Sequence, residues 1–289
     1  MPVIENEFLE VTIDPKGAEL KKIFHKQLKL DYLWNADPAF WAKSSPVLFP
    51  VVGTLKKDTM YYDGKPYNMG RHGFARDSGF SVEKQEPSSV SFLLVSDKAT
   101  LGKYPFDFEF RVYYELKDNA LSVSYDVRNP SQAVMYFSVG AHPAFKIPLT
   151  DDEQYTDYYI EFEKPETAGR WLISPDGLIE SSSTPLLAGS NRLPLEHSLF
   201  YRDAIVLKGL ESAYLSLRNT KSTHGLRFDF PGFPYMGIWA ARDADFVCIE
   251  PWCGIADSVG SDQQFISKEG INRLEAGGKF ERTWTAAFF

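Results

Sequence analysis

The chain has 289 residues, 44% of them hydrophobic and 24% charged, with a formal net charge of −8, the balance of an ordinary globular domain. That charge leaves no broad basic field for nucleic acid, and no apolar run approaches the ~20 residues of a membrane span. The first residues, Met1-Pro2-Val3-Ile4-Glu5-Asn6-Glu7, lack the basic start and apolar stretch of a signal peptide, so a cytoplasmic location is expected.

Taken in chain order, the pattern is one of short strands. Asp37–Lys43 is expected to form a turn or two of helix. Met60–Tyr67 reads as a hairpin about Asp63-Gly64, because glycine tolerates the positive φ of a tight turn. Val90–Val95 alternates, and so does Phe108–Leu116, where Phe108, Phe110, Val112, Tyr114 and Leu116 share one face against Glu109, Arg111 and Glu115. After the polar break Lys117-Asp118-Asn119 the alternation resumes with Leu121, Val123, Tyr125 and Val127, which predicts a hairpin with one buried face. Met135, Phe137 and Val139 define another strand that runs up to His142-Pro143. Pro194–Phe200 is a second candidate for a helical turn, Tyr214–Arg218 is expected to pair with Leu226–Phe230, and Phe280–Phe289 closes the chain as a strand. With 22 Phe, 15 Tyr, 6 Trp, 18 Pro and 20 Gly, many strands and frequent turns, the sequence predicts a large all-β antiparallel sandwich. No repeat or linker divides it, so residues 1–289 are expected to form one domain.

Chemistry concentrates in three stretches. Arg71-His72-Gly73-Phe74-Ala75-Arg76 flanks a histidine with two arginines, either an anion- or hydroxyl-binding loop or a surface loop paired with acids such as Asp77. His142 sits at a strand end before Pro143, which biases it toward extended backbone. It is either a proton-transfer group presented to a cleft or a hydrogen-bonded core histidine. Glu250 lies in the apolar run Phe246-Val247-Cys248-Ile249-Glu250-Pro251-Trp252, where a carboxylate needs a partner or a function. There burial raises its pKa and makes it a better base near neutrality; the alternative is a structural salt bridge to a neighbouring arginine. Asp203 stands at the mouth of a strand, and Trp239 either stacks on a ligand ring or fills the core. Two cysteines, Cys248 and Cys253, are too few for a disulfide framework, and their spacing matches no zinc pattern. No metal is expected.

In their order, Leu48-Phe49-Pro50-Val51-Val52-Gly53, His72-Gly73-Phe74-Ala75-Arg76, Gly140-Ala141-His142-Pro143, Tyr201-Arg202-Asp203, Gly237-Ile238-Trp239 and Ile249-Glu250-Pro251-Trp252 resemble the aldose 1-epimerase (galactose mutarotase-like) family. The resemblance is nearest to its LacX-like and hexose-6-phosphate mutarotase branch. It implies a β-supersandwich with a sugar in a cleft on one sheet face. It also implies Glu250 as the base that takes the proton of the C1 hydroxyl and His142 as the acid that protonates the ring oxygen. His72 and Asp203 match sugar-hydroxyl binders, with Arg76 beside them. The segment at the first histidine is shorter than the glycine-rich one of the better-known galactose mutarotases, so the identity of the sugar stays open. Arg71, Arg76, Lys56 and Lys57 either receive a sugar phosphate or solvate a rim. The alternative of another class is a sugar-binding or sensor protein without turnover; a pure binder has no need of an acid–base pair. A glycoside hydrolase would use two carboxylates. The expected partner is a small sugar or sugar phosphate.

Overall fold

The computed structural model describes residues 1–289. Two large antiparallel sheets dominate. The first has nine strands in the order Ser190–Pro194, Tyr158–Glu166, Tyr214–Asn219, Leu226–Asp229, Lys279–Phe288, Ala120–Arg128, Glu109–Lys117, Ser89–Val95 and Ser81–Glu86. The second has seven strands: Val139–Gly140 pairs with Phe246–Cys253, followed by Tyr235–Trp239, Ile205–Lys208, Gly169–Ile173 and Ile179–Pro185. Its seventh strand, Ala144–Lys146, also pairs with Phe246–Cys253. A four-stranded N-terminal sheet spans Val3–Asp31.

The alternation in the sequence explains the first sheet. Val123 lies opposite Tyr114 and Leu121 opposite Leu116, and all four are buried, while Glu109 and Arg111 form an ion pair on the other face. Asp63 and Gly64 both take positive φ, 49° and 70°, as the two-residue turn between Tyr62 and Lys65 requires. Side chains of both large sheets, among them Phe110, Phe228 and Trp284 from one and Phe145, Ile238 and Ile249 from the other, merge into one core of 70 buried residues.

Two expected helical segments shorten to single turns, and one expected strand divides. Asp37–Lys43 is one hydrogen-bonded turn, with Phe40 and Trp41 N–H both donating to the Asp37 carbonyl. It cannot lengthen into helix because its polar groups are used elsewhere: the Trp41 carbonyl accepts from the Trp34 indole at 2.9 Å, and the following Ser44 N–H donates to the Glu19 carboxylate at 2.7 Å. Pro194 ends a strand, and only His197–Phe200 makes a 3₁₀ turn. The stretch Met135–Val139 is not one strand. Met135–Phe137 pairs with Asn272–Leu274, the Ser138 N–H turns away to the Pro50 carbonyl at 2.7 Å, and Val139–Gly140 joins the seven-stranded sheet.

Phe246–Cys253 is buried along its whole length, because both faces of this strand are covered. One face feeds the main core. Beneath the other lies a separate cluster of eight buried residues that includes Leu48, Val52, Val206 and Trp252, and this cluster floors a cleft.

Candidate active site

The cleft has a volume of about 440 Å³ and is lined by Arg71, His72, Arg76, His142, Asp203, Trp239 and Glu250, every site residue expected from the sequence. That volume suits a small ligand. Lys56 and Lys57 are not among its walls. The Lys56 ammonium is already satisfied by the carbonyls of Val259 and Ser261, at 2.8 and 3.0 Å, and Lys57 lines a separate pocket with Asp58, Ser174 and Asp176.

His142 and Glu250 meet because of strand register. Gly140 pairs with Trp252 and Ala144 with Cys248, so the short break between those two strands sets His142 opposite Glu250. The break is tied at both ends: Ala141 N–H donates to the Pro251 carbonyl, and Ile249 N–H donates to the Pro143 carbonyl. Nε2 of His142 comes within 3.4 Å of a Glu250 carboxyl oxygen. Both side chains are buried, and no arginine forms an ion pair with Glu250. Burial pushes His142 down to about 3, and Arg71 and Arg76 act in the same direction. Burial holds Glu250 well above the usual carboxylate range, reinforced by Asp203 and opposed by Arg71. Desolvation therefore favours a neutral imidazole beside a protonated carboxyl.

Two glycines explain the motifs around this pair. The indole of Trp252 lies so close over the sheet that a Cβ on Gly237 would be 2.4 Å from Trp252 Cζ2, and one on Gly140 2.7 Å from Cδ1. Neither glycine has positive φ; the requirement is space for the indole.

His72 is held by the segment Leu48–Gly53. Its N–H donates to the Gly53 carbonyl at 2.8 Å, and its Nδ1 accepts from Gly53 N–H at 3.1 Å. A ring that accepts at Nδ1 carries its proton on Nε2, so His72 is a neutral donor. Burial depresses its pKa well below the usual value, aided by His142, Arg71 and Arg76. Gly73, at φ 74°, lets the loop run against Phe49, whose carbonyl a Cβ would approach to 2.3 Å. Asp203 takes a φ of 73°; its Oδ1 accepts from Ala204 N–H at 2.7 Å and faces Arg71 Nη2 at 3.4 Å.

Trp239 is half-buried and lies edge-on to His142, with ring centroids 5.6 Å apart. Two cleft residues carried no sequence signal. Trp41 stacks on His142 at 4.9 Å with planes 27° apart, and Arg242 lies over the Tyr201 ring at 4.1 Å. Trp41 comes from an irregular turn and Arg242 from a loop, where neither periodicity nor motif marks a side chain. Arg76 Nε is 3.6 Å from Asp77, so an acid partner for this arginine coexists with its place in the cleft. His142, Cys248 and Glu250 offer three potential metal ligands within 4.8 Å of one another. Burial raises both the thiol and the carboxyl, so protons would compete with an ion for these two ligands.

An antiparallel β-sandwich with a buried histidine–carboxyl pair in a cleft defines the class of protein. The family model described as Aldose 1-epimerase matches residues 3–260, and the chain belongs to that family. It is 37% identical over 280 residues to the chromosomal protein LacX of Lactococcus lactis subsp. lactis, covering 94% of this chain and 93% of that protein. Among solved structures, a galactose mutarotase related enzyme from Lactobacillus acidophilus is 35% identical with a TM-score of 0.93, covering 100% of this chain and 97% of that one. A galactose mutarotase-like protein from Lactobacillus casei is 33% identical with a TM-score of 0.94, covering both chains completely. The fold is that of the galactose mutarotase-like proteins. No helix is long and apolar enough to cross a membrane.

Proposed function

We propose that this chain is an aldose 1-epimerase that interconverts the α and β anomers of an aldohexose or hexose phosphate. The observation that carries the reading is the buried contact of 3.4 Å between His142 and Glu250 inside a cleft that also holds His72, Asp203 and Arg71. Glu250 takes the proton of the C1 hydroxyl while His142 gives one to the ring oxygen, and the C1–O5 bond opens. Rotation about C1–C2 and reclosure with the roles exchanged deliver the other anomer. The pair needs one proton for this, and it holds one whether that proton sits on the carboxyl or on the imidazole. A bound sugar that donates to Glu250 and accepts from His142 favours the carboxylate–imidazolium arrangement. His72 Nε2 donates to a sugar hydroxyl, Asp203 accepts from one, and Trp239 offers a ring face.

Polarimetry on freshly dissolved α-anomers of several hexoses and hexose 6-phosphates tests this. The expected result is an approach to the anomeric equilibrium faster than in buffer for at least one of them. No acceleration for any, with sugar binding still detected by calorimetry, would replace the enzyme by a sugar-binding protein of the same fold.

A further inference from the structure

Asp203 holds a left-handed φ of 73° that residues other than glycine seldom adopt, and its loop Leu199–Ala204 lies at the surface end of a strand. One side chain from a neighbouring strand holds that loop. Arg170, on Gly169–Ile173, donates from Nη1 to the Leu199 carbonyl at 2.9 Å. Its Nη2 donates to the Asp203 carbonyl at 2.9 Å and to that of Ala204 at 3.4 Å. The guanidinium makes no ion pair; its two terminal nitrogens donate to main-chain oxygens on either side of the strained residue, and its Nε has no partner. A rigid planar fork can hold two carbonyls at once, which a single ammonium cannot do as well.

The consequence appears at the carboxylate. With the main chain pinned, Oδ1 of Asp203 is engaged by Ala204 N–H and Arg71, and Oδ2 has no protein donor. Arg170 is absent from the cleft walls, so it touches no substrate itself.

We propose that Arg170 is a positioning residue for sugar binding, which locks the strained loop so that Asp203 presents its free oxygen to a substrate hydroxyl. This rests on the sugar-binding role assigned to Asp203 above.

A double-mutant cycle tests it, with Arg170→Met, Asp203→Ala and the combination assayed by polarimetry for kcat and KM, and by urea unfolding. Arg170→Met is expected to raise KM roughly 10- to 100-fold, about the loss of one hydrogen bond to a charged group, with kcat changed far less. In the Asp203→Ala background the same change should add no more than about 2-fold, because interacting residues are not additive. Arg170→Lys should recover part of the loss. Additive losses in the cycle, or a lowered unfolding midpoint with KM intact, would show a purely structural role and overturn the proposal. If Arg170→Met does not fold, Arg170→Lys carries the same cycle. A wild-type chain that binds sugar without anomerising it overturns the enzyme reading alone, and the cycle is then read on affinity by calorimetry. A chain that binds no sugar overturns both.

Discussion

Gly237→Ala is the substitution for which the structure gives the clearest sign. In an ordinary strand interior, alanine is more stable than glycine by roughly 0.5–1 kcal/mol, because glycine loses more backbone freedom on folding. Here the added methyl would sit 2.4 and 2.5 Å from Trp252 Cζ2 and Cη2, well inside contact distance. The obstacle is a rigid indole that is only 5% exposed and rests on the cluster of Leu48, Val52 and Val206. Backbone holds the methyl on one side and the floor of the cleft holds the ring on the other, so the sheet must open or the indole must rise toward Glu250. Either response costs about 1–3 kcal/mol, the range for overpacking a filled core. The expected result is a lower urea midpoint at unchanged m-value, accompanied by loss of anomerisation. Trp252→Leu provides the control: with the indole gone, the same alanine should cost nothing or stabilise. Equal destabilisation in both backgrounds, or a Gly237→Ala protein as stable as wild type, would refute the claim that this glycine exists to seat the indole.

Glu250→Gln and His142→Asn should each lower anomerisation by roughly 10²–10⁴-fold, the usual contribution of one acid–base group, with folding retained; wild-type turnover in polarimetry would remove that residue from the mechanism. Because burial pushes His142 down to about 3 and Glu250 upward, the pair takes up a second proton only in strongly acidic solution. The rate should therefore stay level through mildly acidic pH, and an acid limb centred near pH 6.5 in the pH–rate profile would contradict the pairing. His72, whose folded pKa is depressed, contributes stability that is present above its unfolded value of about 6.5 and lost as pH falls, at up to about 1.4 kcal/mol per pH unit. His72→Asn should accordingly flatten the fall of the urea midpoint with acidification. If the substrate is phosphorylated, Arg76→Ala should weaken hexose 6-phosphate turnover by ~1.5–3 kcal/mol and hurt free hexoses less. Equal losses for both substrates would leave the cleft arginines as binders of neutral hydroxyls.

The sequence foretold what local pattern controls. The hairpin of Glu109–Lys117 and Ala120–Arg128 follows from period-two alternation, and the Asp63-Gly64 turn from the φ values those two residues tolerate. The edge strand Ile179–Pro185 escaped because it is mostly exposed and polar, and its neighbour Gly169–Ile173 because five half-buried residues are too few to show an alternation. The break at Ser138 escaped because a change of sheet leaves the alternation of Met135, Phe137 and Val139 intact. Within the cleft, His142 and Glu250 stood out as anomalies, one beside a proline and the other in an apolar run. Trp41 and Arg242 sit in irregular segments placed only by tertiary contacts. The three-dimensional structure removed Lys56 and Lys57 from the rim, since carbonyls of a loop some two hundred residues later claim the Lys56 ammonium.

That removal sharpens the question of charge in the cleft. Arg71 faces Asp203 at 3.4 Å, Arg76 lies 3.6 Å from Asp77, and Arg242 lies 3.7 Å from Asp243. Each arginine of the cleft thus has an acid at hand, and each of the three pairs is longer than the 2.7–2.9 Å of a good charge-assisted bond. Loose pairs of this kind give up little when a ligand intervenes, since exposed ion pairs contribute only about 0–1 kcal/mol. A phosphate entering among them would exchange weak contacts for stronger, forked ones, whereas a neutral hydroxyl would leave them in place. The same arginines also act on the acid–base pair, because Arg71 and Arg76 lower His142 and Arg71 lowers Glu250. An anion that neutralised them would relax that influence on both groups, and at Arg76, which acts on His142 but not on Glu250, it would make the imidazolium easier to form. On the proposed reading, a sugar phosphate would bind more tightly and also prepare His142 to donate its proton, so kcat as well as KM should favour it over the free sugar.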